Sequence, residues 1–178
     1  MKKVSVAFLV IGLIIISVGL ILAEDAKDDI VVYKSCKYCG MDRGTYNISR
    51  MLIGYDDGTA AAFCSMRCAA VDLANSIEKA PKVIHVGDFN GKQLIDAEKA
   101  TWVVGGSKPG VMSKRGKWAF ADKMDAELFR KTNGGQLATF EEAVNMAFED
   151  MYDDTKAIRD RRKMKRMKIR EQRPGAGR

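Results

Sequence analysis

The sequence predicts an α+β protein: two small similar β-hairpin-plus-helix halves lie after an N-terminal apolar helix, and a C-terminal basic helical tail follows them. The tripeptide Asp-Asp-Gly at residues 56–58, between two apolar runs, is a strong hairpin signal. A short repeat relates residues 61–63 to residues 118–120, and a predicted helix follows each copy. The 47% apolar composition is that of a globular protein and excludes a wholly disordered one, and the 3 prolines without a Gly-X-Y or heptad pattern exclude fibrous classes.

The first segment, residues 1–23, is predicted to be a membrane anchor or a signal peptide. Residues 4–23 carry no charged side chain, and about 20 helical residues can span a hydrocarbon core of roughly 30 Å. This run exceeds the usual apolar core of a signal peptide, which favours a retained anchor over a cleaved signal. Because Lys2 and Lys3 precede the run, we expect the rest of the chain on the extracytoplasmic side, membrane-anchored or secreted to the periplasm.

The body, residues 24–155, is predicted to be one α+β domain with halves at about 30–90 and 91–155. Periodicity and turn residues predict strands at 30–34, 48–55, 59–63, 82–86, 101–104 and 117–120. Cap signals predict helices from 64–65 to about 77, from 122 to about 132 before Gly134, and from Thr139 onward. Residues 96–98 are assigned to a loop or a helix start.

The C-terminal tail, residues 156–178, is strongly basic, although the net charge of the whole chain is only +7. Its many Lys and Arg side chains are balanced only by Asp160 and Glu171, whereas the rest of the chain is slightly acidic. Positive charge confined to one tail argues against a nucleic-acid-binding body. The tail is either a solvated helix face or a contact for anionic lipid headgroups or an acidic partner.

The four cysteines form two pairs, a CxxC motif and a CxxxC motif at the start of a predicted helix. A CxxC turn directs both sulfurs to one point, and residues four apart share one face of a helix. Thiols near a helix N-terminus also have a lowered pKa. Adding the methionines nearby and one that follows a Gly-rich loop, the candidate metal ligands are Cys36, Cys39, Met41, Cys64, Met66, Cys68 and Met112.

Three interpretations of the cysteines remain open. A four-cysteine zinc site or two disulfides would cross-link the chain and stabilise the fold. A thioredoxin-like redox pair is less favoured, because no helical spacing follows the CxxC motif. The third is a Cu(I) carrier, since thiolates and thioethers with a single histidine, His85, select soft cations.

Enzyme chemistry has little support in this sequence. It shows no carboxylate pair, no nucleophile with a base and no phosphate-binding loop, and His85 lies in an apolar strand context. We therefore expect a protein that is not an enzyme and has no catalytic residues.

Several short motifs occur in a distinctive order from about Tyr33 to Phe148. They are Cys39-Gly40-Met41, Asp57-Gly58, Phe63-Cys64, residues 95–100, Met112 with Ala119-Phe120, Ala126 and Gly134-Gly135. In this order and spacing the chain resembles the NosL family of nitrous oxide reductase accessory proteins. The arrangement of Cys39, Cys64 and Cys68 also resembles the TRASH metal-binding knuckle.

This resemblance implies a membrane-attached, extracytoplasmic Cu(I)-binding metallochaperone. Its implied partners are membrane copper-delivery machinery and a copper enzyme client, either nitrous oxide reductase or another enzyme. It implies two similar α+β halves, with thioether ligands at Met41 and Met112. The alternative is a structural or interaction module, stapled by four-cysteine zinc or disulfides, whose basic tail contacts a membrane or a partner.

Overall fold

The computed structural model describes residues 28–172. The predicted anchor or signal at residues 1–23 and the last tail residues, 173–178, lie outside this part. No helix within residues 28–172 combines the length and the apolar composition that crossing a bilayer requires. The elements are α1 (Asp28–Val32), β1 (Met51–Tyr55), β2 (Ala60–Phe63), α2 (Met66–Asn75), β3 (Pro81–Gly87), β4 (Leu94–Asp96), β5 (Thr101–Val104), β6 (Lys117–Phe120), α3 (Lys123–Asn133), β7 (Gln136–Ala138), α4 (Phe140–Glu149) and α5 (Met151–Glu171).

Two antiparallel sheets confirm the predicted α+β class. The first sheet has the order β2-β1-β3-β4 and the second the order β6-β5-β7. In each sheet the central strand pairs with its hairpin partner and with the strand that follows the next helix. The two halves therefore share a strand–strand–helix–strand topology. The short sequence repeat marks equivalent positions in it, since Phe63 ends β2 and Phe120 ends β6.

Local side-chain chemistry explains the first hairpin. The Asp57 carboxylate accepts hydrogen bonds from the backbone N–H of Thr59, at 2.9 Å, and from its hydroxyl, at 2.6 Å. Gly58, with φ of +79°, takes the left-handed conformation that this turn requires. Alternate residues of β1 are buried, which gives the strand one core face.

The predicted helix caps are confirmed. Asp122 accepts a hydrogen bond from the backbone N–H of Met124 at 2.7 Å, and α3 ends at Gly134 with φ of +76°. At α4, Thr139 and Glu142 form the reciprocal capping box, with distances of 2.7 and 3.2 Å. After Asp150 the chain continues as α5, so the basic tail is helical as far as Glu171.

Three element predictions were wrong or incomplete. Residues 30–34 were predicted as a strand, but residues 28–32 form the helical turn α1, in which the Tyr33 N–H bonds to the Asp29 carbonyl at 2.9 Å. The strands β4 and β7 were not predicted. Each has only three residues, and neither alternates between buried and exposed positions, so neither shows a strand periodicity.

The larger of two buried clusters extends across both halves and includes residues of β1, β2, α2, β5 and α4, whereas the smaller one packs β5, β6 and α3 together. Within the larger cluster α2 contacts α4, and the buried residues of the two helices are largely alanines, which are Ala69, Ala70, Ala143 and Ala147. Small side chains allow the two helices to approach closely. The helix α2, which carries Cys68, is therefore fixed between the two halves.

A buried carboxylate, Asp29, binds two buried arginines. Arg43 Nη2 lies 2.7 Å and Arg50 Nε lies 2.9 Å from Asp29 Oδ2, and all three side chains are 3% exposed or less. Arg43 also donates to the backbone carbonyls of Tyr33 at 2.7 Å and Phe63 at 3.2 Å. This network connects α1 and the segment that precedes β1 to the first sheet.

Asp29→Asn should strongly destabilise the protein, because it leaves two buried guanidinium groups without their counter-charge. Loss of one partner from a buried ion pair costs about 3–5 kcal/mol, so the urea midpoint of unfolding should fall markedly. Asp153→Asn removes the same charge from an exposed position of α5 and should leave the midpoint nearly unchanged. Equal midpoints for the two variants would contradict this account.

Candidate metal centre

All four cysteines meet at one point of the fold. Their Sγ atoms lie within 4.8 Å of one another, with 3.4 Å between Cys39 and Cys64 and 3.9 Å between Cys64 and Cys68. All four are free thiols. Cys36, Cys64 and Cys68 are buried, whereas Cys39 is partly exposed. Only one ligand of the cluster is therefore open to solvent.

The CxxC pair lies at the tip of a small hairpin that belongs to neither sheet. At its base the Arg43 N–H bonds to the Lys34 carbonyl at 2.9 Å. At the tip the Cys36 N–H bonds to the Met41 carbonyl at 2.9 Å, and the Gly40 N–H bonds to the Cys36 carbonyl at 3.0 Å. Gly40 has φ of +72°, a left-handed conformation that residues other than glycine rarely adopt. We call this hairpin, residues 34–43, the CxxC hairpin.

The second pair is positioned by the start of α2. Cys64 directly follows β2, and Cys68 lies in the first turn after the N-cap Ser65, whose carbonyl accepts from the Cys68 N–H at 3.1 Å. The prediction that both thiols share one face of a helix was wrong, because the helix begins only at Met66 and Cys64 precedes its N-cap; the two sulfurs nevertheless lie 3.9 Å apart. The partial positive charge of the helix N-terminus favours negative charge there.

A buried carboxylate that sequence reasoning missed fastens the CxxC hairpin to this helix. Asp72 is fully buried and accepts hydrogen bonds from Lys37 Nζ at 2.6 Å, from the Tyr38 hydroxyl at 2.7 Å and from the Tyr55 hydroxyl. Lys37 and Tyr38 are the two residues inside the CxxC motif, and Asp72 lies one helical turn after Cys68. Its spacing of four from Cys68 is the signal that places it on the same helix face.

The environment of Asp72 also keeps the two phenols that donate to it, Tyr38 and Tyr55, protonated. Burial, and then the hydrogen bond to Asp72, raise the pKa of Tyr38 to about 12, so its hydroxyl remains a donor at neutral pH. The pKa of Tyr55 is raised by the same two causes, again with burial first. Both phenols thus hold the carboxylate throughout the physiological range.

Mutual hydrogen bonding separates the pKa values of the four thiols. The pKa of Cys36 is lowered, because its three cysteine neighbours donate to its thiolate. The pKa values of Cys64 and Cys68 are raised, first by their bonds to Cys36 and Cys39 and also by burial. Cys39 has a pKa of about 7, because its bond to Cys36, which raises the pKa, is outweighed by those to Cys64 and Cys68. The metal-free cluster is therefore anionic at neutral pH.

Met41 and Met112 line one cleft of about 490 Å³, which we call the thioether cleft. Met112 has φ of +59°, a left-handed conformation that costs a non-glycine residue about 1–3 kcal/mol. Only one residue separates Met41 from Cys39, so their α-carbons lie within about 7.6 Å. The other residues that line the cleft are Tyr46, Pro109, Gly110, Val111, Ile158, Arg161 and Arg162.

Met66 lies elsewhere. It is buried and lines a small cavity of about 10 Å³ together with Ser49, Ser65 and Val111. In α2 a residue two positions before Cys68 does not share its helix face, and Cys64 precedes the helix. The structure thus brings the four cysteines together and brings Met41 to Met112, but it places Met66 in a different cavity.

The donor atoms suit a soft metal ion. Thiolates and thioethers select Cu(I) or zinc over hard cations such as Mg²⁺ and Ca²⁺. Tetrahedral zinc with Zn–S bonds of 2.3 Å needs sulfurs about 3.8 Å apart. The cluster, with its sulfurs within 4.8 Å of one another, can close around such an ion. The geometry of the cysteines is compatible with either metal.

Iodoacetamide should label Cys39 first in the native, metal-free chain, because it alone of the four thiols is partly exposed. Only thiolates react, so with a pKa of about 7 the labelling rate should be half-maximal near pH 7 and level off above about pH 8. Mass spectrometry of tryptic peptides identifies the labelled site, and the urea-unfolded chain, with four reactive thiols, is the control. First labelling at Cys64 or Cys68 would contradict the geometry of the cluster.

Comparison with known proteins adds an independent result. The family model described as NosL matches residues 29–148, a range that contains all four cysteines, Met41 and Met112. No curated protein matches the chain. A solved structure, that of the copper chaperone NosL from Shewanella denitrificans, is similar at 28% identity over 61% of this chain and 87% of that chain, with a TM-score of 0.47. Because the family model covers more than half of its residues, the chain belongs to the NosL family.

Proposed function

We propose that the protein is a Cu(I)-binding metallochaperone that holds copper as cargo and does not act as an enzyme. The observation that carries the proposal is a four-thiol cluster that is open to solvent only at Cys39. This cysteine lies two residues from Met41, which lines the thioether cleft. Thioethers are ligands for Cu(I), whereas structural zinc takes thiolate, imidazole and carboxylate ligands. Membership of the NosL family agrees with a role in copper handling.

The cargo would move by ligand exchange, with no change in the oxidation state of copper. Cys36 supplies a ready thiolate, since its pKa is lowered, and Cys39 supplies the ligand that solvent and partners can reach. Two or three soft ligands satisfy Cu(I), so one protein ligand can leave as another sulfur arrives. Met41 and Met112 offer the next two sulfurs on the way to a partner.

The location and the client belong to the same proposal. We place the body on the extracytoplasmic side of the membrane, with residues 1–23 as an anchor or a signal, because Lys2 and Lys3 precede the apolar run. The client is a copper enzyme, and nitrous oxide reductase is the first candidate because the family motifs resemble those of its accessory proteins. Membrane copper-delivery machinery would supply the ion.

A second candidate function is a structural module closed by zinc. It is favoured by the burial of three of the four thiols and by sulfur distances near those of a tetrahedral site. In that case the metal would stabilise the fold and would not be exchanged. The basic tail would then be the functional surface.

A Cu(I) titration separates the two functions. The full chain, reduced and anaerobic, should compete with a chromophoric Cu(I) chelator for one ion per chain. Cys39→Ser/Cys68→Ser should weaken binding by at least about 100-fold, since even indirect support of a metal ligand is worth 10–100-fold. Met66→Leu, in the separate cavity, should bind as the wild type does. Failure to compete, with one zinc retained, would reject the chaperone and favour the structural module.

Met112→Leu should slow copper transfer while leaving Cu(I) affinity within about twofold, because it removes a thioether from the cleft and not from the thiol cluster. We expect transfer to a Cu(I) chelator, followed by stopped-flow absorbance, to slow by about tenfold. Met164→Leu changes an exposed methionine of the tail and is the matched control. Equal transfer rates for the two variants would exclude Met112 from the route.

A further inference from the structure

We propose that the thioether cleft is a docking site for an acidic segment of a partner protein that carries a methionine or cysteine. The proposal deepens the proposed function, on which it rests for the copper that the partner receives. Docking itself relies on charge and shape, and it can therefore be tested without metal.

The cleft combines two kinds of recognition. Its walls include the thioethers of Met41 and Met112 and the apolar side chains of Val111 and Ile158, and its volume of about 490 Å³ can hold several side chains. Two guanidinium groups, those of Arg161 and Arg162, also line it, and both residues are exposed. Within residues 28–172 the ion pairs all involve other cations. These two charges are therefore available to an anionic ligand.

The N-terminal part of α5, which packs on the rest of the protein, holds the two arginines in place. Ile158 is buried, and the buried Asp154 accepts a hydrogen bond from the Lys114 backbone N–H at 2.8 Å. Arg67 Nη2 donates to Thr155 Oγ1 at 2.7 Å, which fastens α5 to α2. Beyond Ile158 every described residue of the helix is exposed. The arginines thus occupy the first exposed turn after the fixed part.

The contacts of α5 also position Met112, which lines the same cleft as the two arginines. Lys114, which α5 binds through Asp154, is two residues from Met112 in the loop between β5 and β6. The helix that presents the two cations therefore also fixes the loop that presents the thioether. A ligand in this cleft would meet positive charge and a soft sulfur together.

An acidic protein segment matches this pairing better than a lipid. A Cu(I) acceptor must present a thiolate or thioether, which phospholipids lack, and carboxylates beside that sulfur would pair with the guanidinium groups. The remaining cations of α5 extend the positive field and would steer an acidic partner to the cleft. The cleft is also concave, as expected for side-chain insertion.

The test uses the purified full chain, metal-free, and a short fluorescent peptide in which aspartates and glutamates flank a methionine. Fluorescence anisotropy at 0.1 M salt should show binding that Arg161→Gln/Arg162→Gln weakens by about tenfold. Lys168→Gln/Arg170→Gln removes equal charge about 11 Å further along α5, beyond the screening length of about 10 Å. This control should weaken binding by less than about twofold.

Two further peptides and one lipid complete the design. A peptide with lysine in place of each acid should not bind, and norleucine in place of methionine should lose only the additional binding gained after Cu(I) loading. Equal weakening by the two double variants, or binding of the lysine peptide, would overturn the docking site. The docking site would also be overturned if the wild-type chain does not bind the acidic peptide but binds phosphatidylglycerol vesicles through Arg161 and Arg162.

Failure of copper binding would give a different pattern. A chain that binds no Cu(I) but still binds the acidic peptide through Arg161 and Arg162 retains the docking site and loses the chaperone function. A chain that binds Cu(I) without any Arg-dependent peptide binding retains the chaperone function and loses the docking site.

Discussion

Asp29 holds two guanidinium groups inside the protein, and the position of the metal centre depends on this buried charge network. The CxxC hairpin belongs to neither sheet, and a backbone hydrogen bond joins it to the first one, from the Lys37 N–H to the Ala62 carbonyl of β2 at 2.9 Å. Arg43 fixes its base through Asp29 and the carbonyl of Phe63, while Asp72 fixes its tip through the two residues inside the CxxC motif. Two buried carboxylates, together with this backbone hydrogen bond, therefore determine how far the first cysteine pair lies from the second. A ligand set held in this way is organised before the metal binds, which reduces the cost of binding.

The proposed chaperone function requires that the cluster both retain a metal ion and exchange it. Buried thiolates hold a soft metal tightly but exchange it slowly, because an incoming ligand cannot reach them. Here Cys36, Cys64 and Cys68 are buried, and Cys39 alone is partly exposed, with a pKa of about 7. An incoming sulfur ligand can therefore reach the site at Cys39 without unfolding the protein. Asp72 and its phenol donors keep the hairpin in place while that happens.

The parts of the fold that local chemistry determines could be predicted, and the parts that distant contacts determine could not. The Asp-Gly turn and the Thr139–Glu142 capping box follow from residues close together in sequence, whereas the two cysteine pairs meet through contacts about 35 residues apart along the chain. The helix α1 and the strands β4 and β7 depend on remote partners and show no periodicity of their own. At the site, Asp72 and the two arginines of α5 were missed for the same reason, since each meets residues far away along the chain. Met66 was predicted as a candidate ligand, but it lies two residues before Cys68 in α2 and therefore on another face of that helix.

The two halves share a topology but contribute different chemistry, and the repeat shows where they diverged. At the positions equivalent to Cys64 and Cys68, the second half has Ala121 and Asp125, so its helix offers no thiols. Its contribution comes instead from the connection between β5 and β6, which corresponds to the tight Asp-Gly turn of the first half. That connection is longer and brings Met112, in a left-handed conformation, to the cleft that Met41 also lines. A strained methionine on an extended loop is costly for the fold, and the contact between Asp154 of α5 and this loop offsets part of that cost. The basic helix is thus a structural part of the thioether cleft, which explains why its cations and that sulfur occur in the same place.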